Sequence, residues 1–338
     1  MYQGKKLKAA RLAKRLSLQE LSDLMDGLAS KQMLQKYETG QSVPTEKTKY
    51  LLCFNLDISP EYLTNSPSVS LNQGMFRRYA GYQTTGDDLK AKFSKKIEAY
   101  TIIQDILQLH APFSNPIEGY PISSMHDIES AVEIVRMRWG IGMGIVASAI
   151  DTMETRGVMC FDFTAESEIN GFSGFADEDY QNPFTFINNN LNLSDDRKRF
   201  TVFHELGHIL LYTSKLSEIE QEKFANQFAG AMLLPRRTLF AELGERKQNI
   251  SFDDLSFLKR KYGISMYSAL IRCKECNIIH ISVFNELKAK LDIDKSREPV
   301  AYVGFESPSR FQRMLSRAIN SQIFTPEEVM KYVLETDS

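Results

Sequence analysis

The spacing of apolar residues changes from helical to strand-like and back again along the chain. In residues 1–63 several short amphipathic segments follow one another, and polar capping residues open them. Ser17 with Glu20 predicts a capping box, and Ser30 opens a further segment that Gly40 ends. So many short helices in so few residues predict a small helical bundle.

Farther along, helical segments surround a few short stretches with strand-like patterns. Helices are predicted at 87–110, 126–138, 143–156, 194–213 (with Ser194 as N-cap), 217–233 (ended by Pro235), on both sides of Gly263, and at 308–334. Strands are predicted at 157–163, 172–176, 183–189 and 278–284. Two alternatives stay open for 183–189, which is either an edge strand that pairs with a peptide ligand or an interior strand.

The sharpest chemical signal lies in the helix predicted at 194–213, where His204-Glu205-Leu206-Gly207-His208 occurs. Positions i and i+4 share a helix face, so both imidazoles can reach one metal ion. Glu205 lies beside that position, where a carboxylate can accept a proton from an attacking water. The alternative is a pair of histidines whose ring nitrogens are satisfied by ordinary hydrogen bonds.

A third metal ligand is expected on the next helix. Gly207 costs its helix about 1 kcal/mol relative to Ala, which indicates that another element approaches the backbone there. Acidic residues of 217–233 are the candidates, and spacing alone does not choose among Glu218, Glu220 and Glu222.

A family resemblance rests on RKRFTVFHELGHILLY, which contains both histidines, and on EKFANQFAGAMLLP at 222–235. These segments resemble the ImmA/IrrE family of metallopeptidases. FSGFADEDYQNPFTFINNN and 255–273 are similar to the family as well, so the likeness covers most of 70–290. The resemblance implies a zincin-like α+β domain in which His204, His208 and Glu222 bind Zn²⁺ and Glu205 is the general base.

A second resemblance covers residues 5–63 and rests on KAAR at 8–11, SLQEL at 17–21 and SKQMLQKYETG at 30–40. These motifs resemble the phage-repressor-like (XRE/Cro) helix-turn-helix family, which implies a third helix that enters the major groove of DNA. Leu34 and Tyr37 are expected to face the core. The residues expected at DNA are Gln19, Ser30, Lys31, Gln32, Gln35 and Lys36. The alternative is a helical protein–protein module with a solvated basic face.

The charge distribution is consistent with a DNA-binding head. The chain has 41 Lys and Arg against 43 Asp and Glu, and the net charge of −2 excludes a uniformly basic nucleic-acid coat. Residues 1–50 nevertheless carry a net charge of +5, and the remainder carries −7. A basic segment on an acidic body is the polarity that a tethered DNA reader needs.

Composition also limits the remaining classes of protein. Four cysteines in 338 residues do not make a disulfide scaffold, and the lone pair Cys273 and Cys276 with His280 favours packing over a metal or redox site. No apolar run approaches the roughly 18 residues of a membrane span. We therefore expect a cytoplasmic protein.

Together these features predict a multidomain α+β protein. We expect a helix-turn-helix DNA-binding domain at 1–64, a linker and long helix at 65–124, a zinc metallopeptidase domain with a small sheet at 125–290 and a helical region at 291–338. The ImmA/IrrE resemblance implies hydrolysis of peptide bonds in a regulatory protein, commonly a helix-turn-helix repressor, and control of mobile-element or stress-response genes. The alternative is a non-catalytic DNA-binding regulator or antitoxin-like partner with a structural or vestigial zinc site. Either protein is compatible with a homodimer.

Overall fold

The computed structural model describes residues 2–64, 86–164, 170–177, 181–189, 194–211, 213, 216–245, 249–292 and 298–329. Within these ranges the chain forms two compact units. The first unit joins residues 2–64, 86–110 and 309–329, and the second comprises the described residues from 111 to 308. The domain boundaries suggested by the sequence stay predictions.

The described chain is mostly helical with one small sheet, which confirms a mixed α+β protein. Its helices are α1 (Tyr2–Ala13), α2 (Leu18–Leu24), α3 (Lys31–Glu38), α4 (Glu46–Leu56), α5 (Pro60–Thr64), α6 (Gly86–Ile106), α7 (Met125–Arg138), α8 (Ala149–Glu154), α9 (Asp195–Leu210), α10 (Glu218–Leu233), α11 (Arg236–Leu243), α12 (Phe252–Tyr262), α13 (Met266–Glu275), α14 (Ile281–Asp292) and α15 (Arg310–Asn320). Its strands are β1 (Met159–Phe163), β2 (Gly171–Phe175) and β3 (Pro183–Asn188). Among the described residues, none of the helices combines the length and the apolar character that a membrane span requires.

The short helices of the first unit meet through their apolar stripes. Leu21, Leu34 and Leu52 are fully buried at the centre of this core, as amphipathic helices require. The predicted capping box is present, since the Ser17 hydroxyl accepts from the amide of Glu20 and the Glu20 carboxylate accepts from the amide of Ser17. The first turn of α2 therefore has its free amides satisfied.

A buried ion pair fastens α1 to α3. The guanidinium of Arg11 donates to both carboxylate oxygens of Glu38, at 2.6 and 2.9 Å, and also to the carbonyl of Leu16 at 2.6 Å. A bidentate pair fixes both the distance and the angle between its partners. This pair consequently sets which face of α3 points away from the core.

The long helix α6 and the late helix α15 pack in the first unit as well. Tyr62 donates to the carbonyl of Ile106 at 2.9 Å, and the rings of Tyr100 and Phe311 are 5.6 Å apart. Arg310 donates to the carbonyl of Leu109 at 2.9 Å. The first unit therefore contains residues that precede the second unit in the sequence and residues that follow it.

In the second unit the three strands form one sheet in the order β1-β3-β2. The central strand β3 runs parallel to β1 and antiparallel to β2. Of the two alternatives for 183–189, the interior strand is confirmed and the edge strand is wrong. All six residues of β3 are buried, as a strand covered on both edges and both faces requires.

Buried charges anchor α9, the helix that carries the two histidines. Arg199, which is fully buried, donates to Glu306 Oε1 and to the carbonyl of Val146, both at 2.6 Å. Glu306 also accepts from the amides of Ala149 and Ile150, at 2.9 and 3.1 Å, and so caps α8. One carboxylate therefore pairs with the buried guanidinium and also caps a helix N-terminus.

A second carboxylate acts in the same way near the start of α9. Glu298 accepts from the amides of Met266 and Tyr267 at the start of α13, at 2.9 and 3.1 Å. It also pairs with Lys259 at 2.7 Å, and Lys259 lies 3.1 Å from Asp196 in the first turn of α9. The chain that follows α14 accordingly packs into the second unit.

The strand predicted at 278–284 is wrong. Ile278 and Ile279 lie in a bend after α13, and the helix α14 begins at Ile281. Its buried residues Phe284, Leu287 and Leu291 recur with helical spacing. Periodicity alone cannot distinguish a short β-branched run from the start of a helix. The helical spacing of the apolar residues that follow favours the helix.

Some predicted helix ends also differ from the structure. The helix predicted at 143–156 is shortened to α8, because the Ser148 hydroxyl accepts from the amide of Asp151 and starts the helix there. α9 ends at Leu210 rather than at residue 213. In the predicted tail at 308–334, α15 ends at Asn320, a short helical turn covers 326–329, and residues 330–334 lie outside the described residues.

Candidate functional site

The helices α9 and α10 pack closely enough to place their polar side chains together. A Cβ on Gly207 would lie 3.1 Å from the Cα of Ala225 and 3.4 Å from the ring of Phe228. The expectation that another element approaches the Gly207 backbone is confirmed, and that element is α10. A side chain at position 207 would hold the two helices apart.

Three donor atoms converge where the two helices meet. The Nε2 atoms of His204 and His208 are 3.1 Å apart, and the Glu222 oxygens lie 3.2 Å from the first and 3.3 Å from the second. A tetrahedron with metal–ligand distances of about 2.0–2.1 Å has edges of about 3.3–3.4 Å. The three side chains therefore fit a single metal ion with little rearrangement.

Among the described residues, this triad is the one group of His, Cys, Asp and Glu side chains compact enough to hold a metal ion. The structure thus chooses Glu222 from the three acidic candidates. The carboxylate of Glu220 accepts instead from Ser217 in the capping box of α10. Glu218 lies exposed in the first turn of the same helix.

Asn226 orients the first histidine from one turn farther along α10. Its Oδ1 lies 3.0 Å from His204 Nδ1. An amide oxygen is an acceptor, so the ring nitrogen that faces it donates, and the neutral ring then has its lone pair on Nε2. Asn226 accordingly turns Nε2 of His204 toward His208 and Glu222.

The electrostatics of the triad favour a cation. Burial lowers the pKa of His204, but the hydrogen bond to Glu222 and the charges of Glu205 and Glu222 outweigh it and hold the pKa above the ordinary value. Hydrogen bonds from His204 and His208 hold the pKa of Glu222 well below its usual range, against the opposing effect of burial. The negative charge that raises the pKa of His204 also favours a metal ion in place of the added proton.

Glu205 lies next to the triad and is 5% exposed. Its Oε2 accepts a hydrogen bond of 2.7 Å from the hydroxyl of Ser173, which projects from β2. Ser173 is absent from the sequence-based candidates, because it precedes Glu205 by 32 residues and belongs to a strand. The FSGFA stretch resembled the family's strand pair, but nothing in it marked the serine.

Residues 153–274 match the family model of the IrrE N-terminal-like domain, Peptidase_M78. This match supports a metallopeptidase of the ImmA/IrrE type. The IrrE-like segment covers just over a third of the chain, from α8 into α13, and it contains the triad, Glu205 and the sheet. A comparison with curated proteins finds no match to the chain.

The helix α3 of the first unit presents the side chains that the sequence assigned to DNA. Leu34 and Tyr37 are buried, as expected. The exposed positions on the same helix are Lys31, Gln32, Gln35 and Lys36. Ser30 is the N-cap, with its hydroxyl 3.3 Å from the amide of Met33, and Gln19 is exposed on α2. Their contacts with DNA stay predictions.

The two free cysteines near the end of α13 are packed in the core. Cys273 and Cys276 are both buried, and burial raises the pKa of the Cys276 thiol to about 11. His280 is exposed, and its ring meets Ser282 rather than a thiol. A protonated, buried thiol is a poor metal ligand and a poor nucleophile.

Proposed function

We propose that the second unit is a zinc-dependent metallopeptidase. The observation that carries the proposal is the convergence of His204, His208 and Glu222 next to the buried Glu205, within the IrrE-like segment. Two imidazoles and one carboxylate are a ligand set of catalytic zinc sites, which keep a further position open. The Glu222 side chain is 44% exposed, so the triad is accessible from solvent.

In this role Glu205 is first the general base and then the general acid. A zinc ion bound by the triad supplies Lewis acidity, which polarises the peptide carbonyl and makes water easier to deprotonate. Glu205 takes the proton of the attacking water and delivers it to the leaving amine. Asn226 holds the His204 ring, so that Nε2 stays directed at His208 and Glu222.

The variant Glu205→Gln tests the catalytic assignment. We expect it to bind as much zinc as the wild type and to cleave at least about 100-fold more slowly. The substrates are a library of casein peptides and a panel of helix-turn-helix repressors. Glu218→Gln, which changes an exposed acid on α10, is the control and should cleave like the wild type.

Failure of the zinc-loaded wild type to cleave any of these substrates would contradict the peptidase proposal. The non-catalytic regulator with a structural zinc site would then be the better account. A Glu205→Gln variant that cleaves like the wild type would instead remove Glu205 from the mechanism.

We further propose that the substrate is a regulatory protein, a helix-turn-helix repressor in the first instance. The family match and a first unit that resembles such repressors support this choice. The described chain leaves β1 and β2 as the edges of the sheet, and a substrate strand can add at β2, the edge whose Ser173 contacts Glu205. We thus assign to β2 the role of the peptide-pairing edge strand, which the sequence had suggested for 183–189.

For the first unit we propose sequence-specific binding of double-stranded DNA through α3. The supporting observations are the exposed row of lysine and glutamine side chains and the excess of positive charge in residues 1–50. Glutamine can pair with adenine through two hydrogen bonds, and lysine can meet guanine or phosphate. The proposal includes control of mobile-element or stress-response genes, and a dimer that reads two half-sites.

Selection from a randomised duplex library tests the DNA proposal. We expect the wild type to enrich one motif and the triple variant Gln32→Ala, Gln35→Ala, Lys36→Ala to lose at least about 10-fold in affinity for it. The exposed Lys47 on α4 supplies a control through Lys47→Ala. Unchanged binding by the triple variant would remove α3 from the groove.

A further inference from the structure

Ser173 brings a hydroxyl to the proposed general base from an element that carries no metal ligand. Its Oγ lies 2.7 Å from Glu205 Oε2, and the two residues are 7% and 5% exposed. We infer that Ser173 is a positioning residue, which holds the Glu205 carboxylate in the orientation needed for proton transfer. The inference rests on the proposed peptidase function and adds a residue to it.

The fold of the sheet explains why a small residue stands at this position. Gly171 and Ser173 share the face of β2 that packs on α9, and a Cβ on Gly171 would lie 2.8 Å from the side chain of Thr201. On the opposite face Phe172 stacks on Phe186, with ring centroids 5.0 Å apart. Small residues therefore occupy both positions, and Ser173 brings a hydrogen-bond donor into the space between β2 and α9.

The chemistry of the hydroxyl suits a base rather than a structural carboxylate. Ser173 has one proton to donate, and it occupies one oxygen of Glu205 while the other stays available for the substrate water. A neutral donor restrains the carboxylate and leaves its charge intact, whereas a lysine or arginine would neutralise that charge. The Glu205 carbonyl lies farther from Oγ, at 3.2 Å, so the carboxylate is the closer partner.

A purely structural role gives a different expectation. A buried carboxylate needs a donor for stability alone, and loss of that donor would then lower the stability of the second unit with no selective effect on turnover. A positioning role acts on the reacting proton, so its loss lowers kcat while KM and zinc affinity stay constant. The two roles can therefore be separated by experiment.

Ser173→Ala and its matched control Thr185→Val make this separation. Thr185 lies directly opposite Ser173 in the β2–β3 register, is fully buried and donates to the carbonyl of Phe172 at 3.3 Å. Each variant removes one buried hydroxyl from the same sheet, but Thr185 does not bond to Glu205. The zinc-loaded full chain is assayed on its best-cleaved casein peptide, with zinc affinity and thermal midpoint measured alongside.

We expect Ser173→Ala to lower kcat by about 10-fold to 100-fold, the usual effect of losing a hydrogen bond to a charged group. KM and zinc affinity should stay within about twofold of the wild type, Thr185→Val should keep its kcat, and Ser173→Thr should restore most of the rate. In the Glu205→Gln background, Ser173→Ala should change the residual rate by less than about twofold, because the two residues act as a unit. Equal kcat for Ser173→Ala and Thr185→Val, or a loss in proportion to stability in both, would overturn the inference.

Binding of acetohydroxamate gives a readout without turnover. This small zinc-binding acid hands its proton to a neighbouring base, so a misplaced Glu205 carboxylate should weaken its binding to the zinc-loaded Ser173→Ala protein several-fold. Unchanged binding would count against Ser173. If the wild type binds zinc and acetohydroxamate but cleaves nothing, the peptidase proposal fails while the role of Ser173 toward Glu205 is still decided by this measurement.

Discussion

At the scale of single residues, Asn226 sets which nitrogen of His204 faces the triad. It does so through one hydrogen bond of 3.0 Å from a position one turn beyond Glu222. Without it the ring can rotate or change tautomer, and the metal-binding nitrogen is no longer held in place.

We expect Asn226→Ala to weaken zinc binding by about 10-fold to 100-fold. The measurement is competition with a chelator of known affinity. Lys223→Ala changes an exposed side chain on the same helix and should bind zinc like the wild type. Wild-type affinity in Asn226→Ala would show that packing alone orients the ring.

How far a residue's role could be predicted depended on its distance from the motif along the chain. His204 and His208 could be placed on one helix face from their spacing. Spacing alone could not separate Glu222 from Glu218 and Glu220; the ImmA/IrrE resemblance singled it out, and the packing of α9 on α10 places it beside the two histidines. Ser173 could not be found at all, because a strand 32 residues earlier places it against Glu205 only after folding.

The buried Cys276 gives a prediction of how its alkylation rate depends on pH. Burial raises the pKa of Cys276 to about 11, so at pH 8 only about one thiol in a thousand is ionised. Alkylation by iodoacetamide should therefore be slow in the native protein and rise about tenfold per pH unit between pH 7 and 9. Peptide-resolved mass spectrometry measures it, and urea-unfolded protein provides the fast reference. Labelling of Cys276 at the rate of an exposed thiol at pH 8 would contradict the burial.

At the scale of elements, the candidate site depends on how closely α9 and α10 approach. Gly207 makes that approach available, since a Cβ there would lie 3.1 Å from the α10 backbone. The glycine's cost to the helix was visible in the sequence and pointed to the following helix, which the structure identifies as α10.

Gly207→Val should separate the two helices and lower zinc affinity at least about 10-fold, with some loss of stability from overpacking. Gly144→Val is the control, because a Cβ at Gly144 meets no atom within 4 Å. Chelator competition and a thermal midpoint for each variant check the prediction. If Gly207→Val binds zinc like the wild type, the triad does not depend on the close approach.

The buried pair between Arg199 and Glu306 belongs to the same scale. Removing the carboxylate would leave a fully buried guanidinium without its charge partner and α8 without its cap. We expect Glu306→Ala to cost the second unit about 3–5 kcal/mol of unfolding free energy.

Urea unfolding followed by the fluorescence of Trp139, the single tryptophan and a buried residue of the second unit, reports this loss. Glu286→Ala breaks an exposed pair with Lys290 and should leave the transition where it is in the wild type. An unchanged transition in Glu306→Ala would mean that Arg199 finds its partners elsewhere.

At the scale of the whole molecule, the first unit combines the described residues up to 110 with the late helix α15. The IrrE-like segment lies between them in the sequence and belongs to the second unit. The helical bundle at the N-terminus and the helices α9 and α10 could be predicted because local periodicity and capping specify them. The membership of α15 in the first unit could not, because contacts between residues about 200 positions apart decide it. For the same reason the central position of β3 could not be predicted. Strand order is a tertiary property that a strand's own sequence does not carry.

The zinc retained per chain tests the central claim most directly. After dialysis against zinc-free buffer, the wild type and Glu205→Gln should each keep about one zinc ion per chain, because Glu205 lies beside the ligand triad and is not part of it. His208→Ala and Glu222→Ala should keep less than about a tenth of that amount, since each removes one of three ligands. Retention of zinc by Glu222→Ala at the wild-type level would contradict the account.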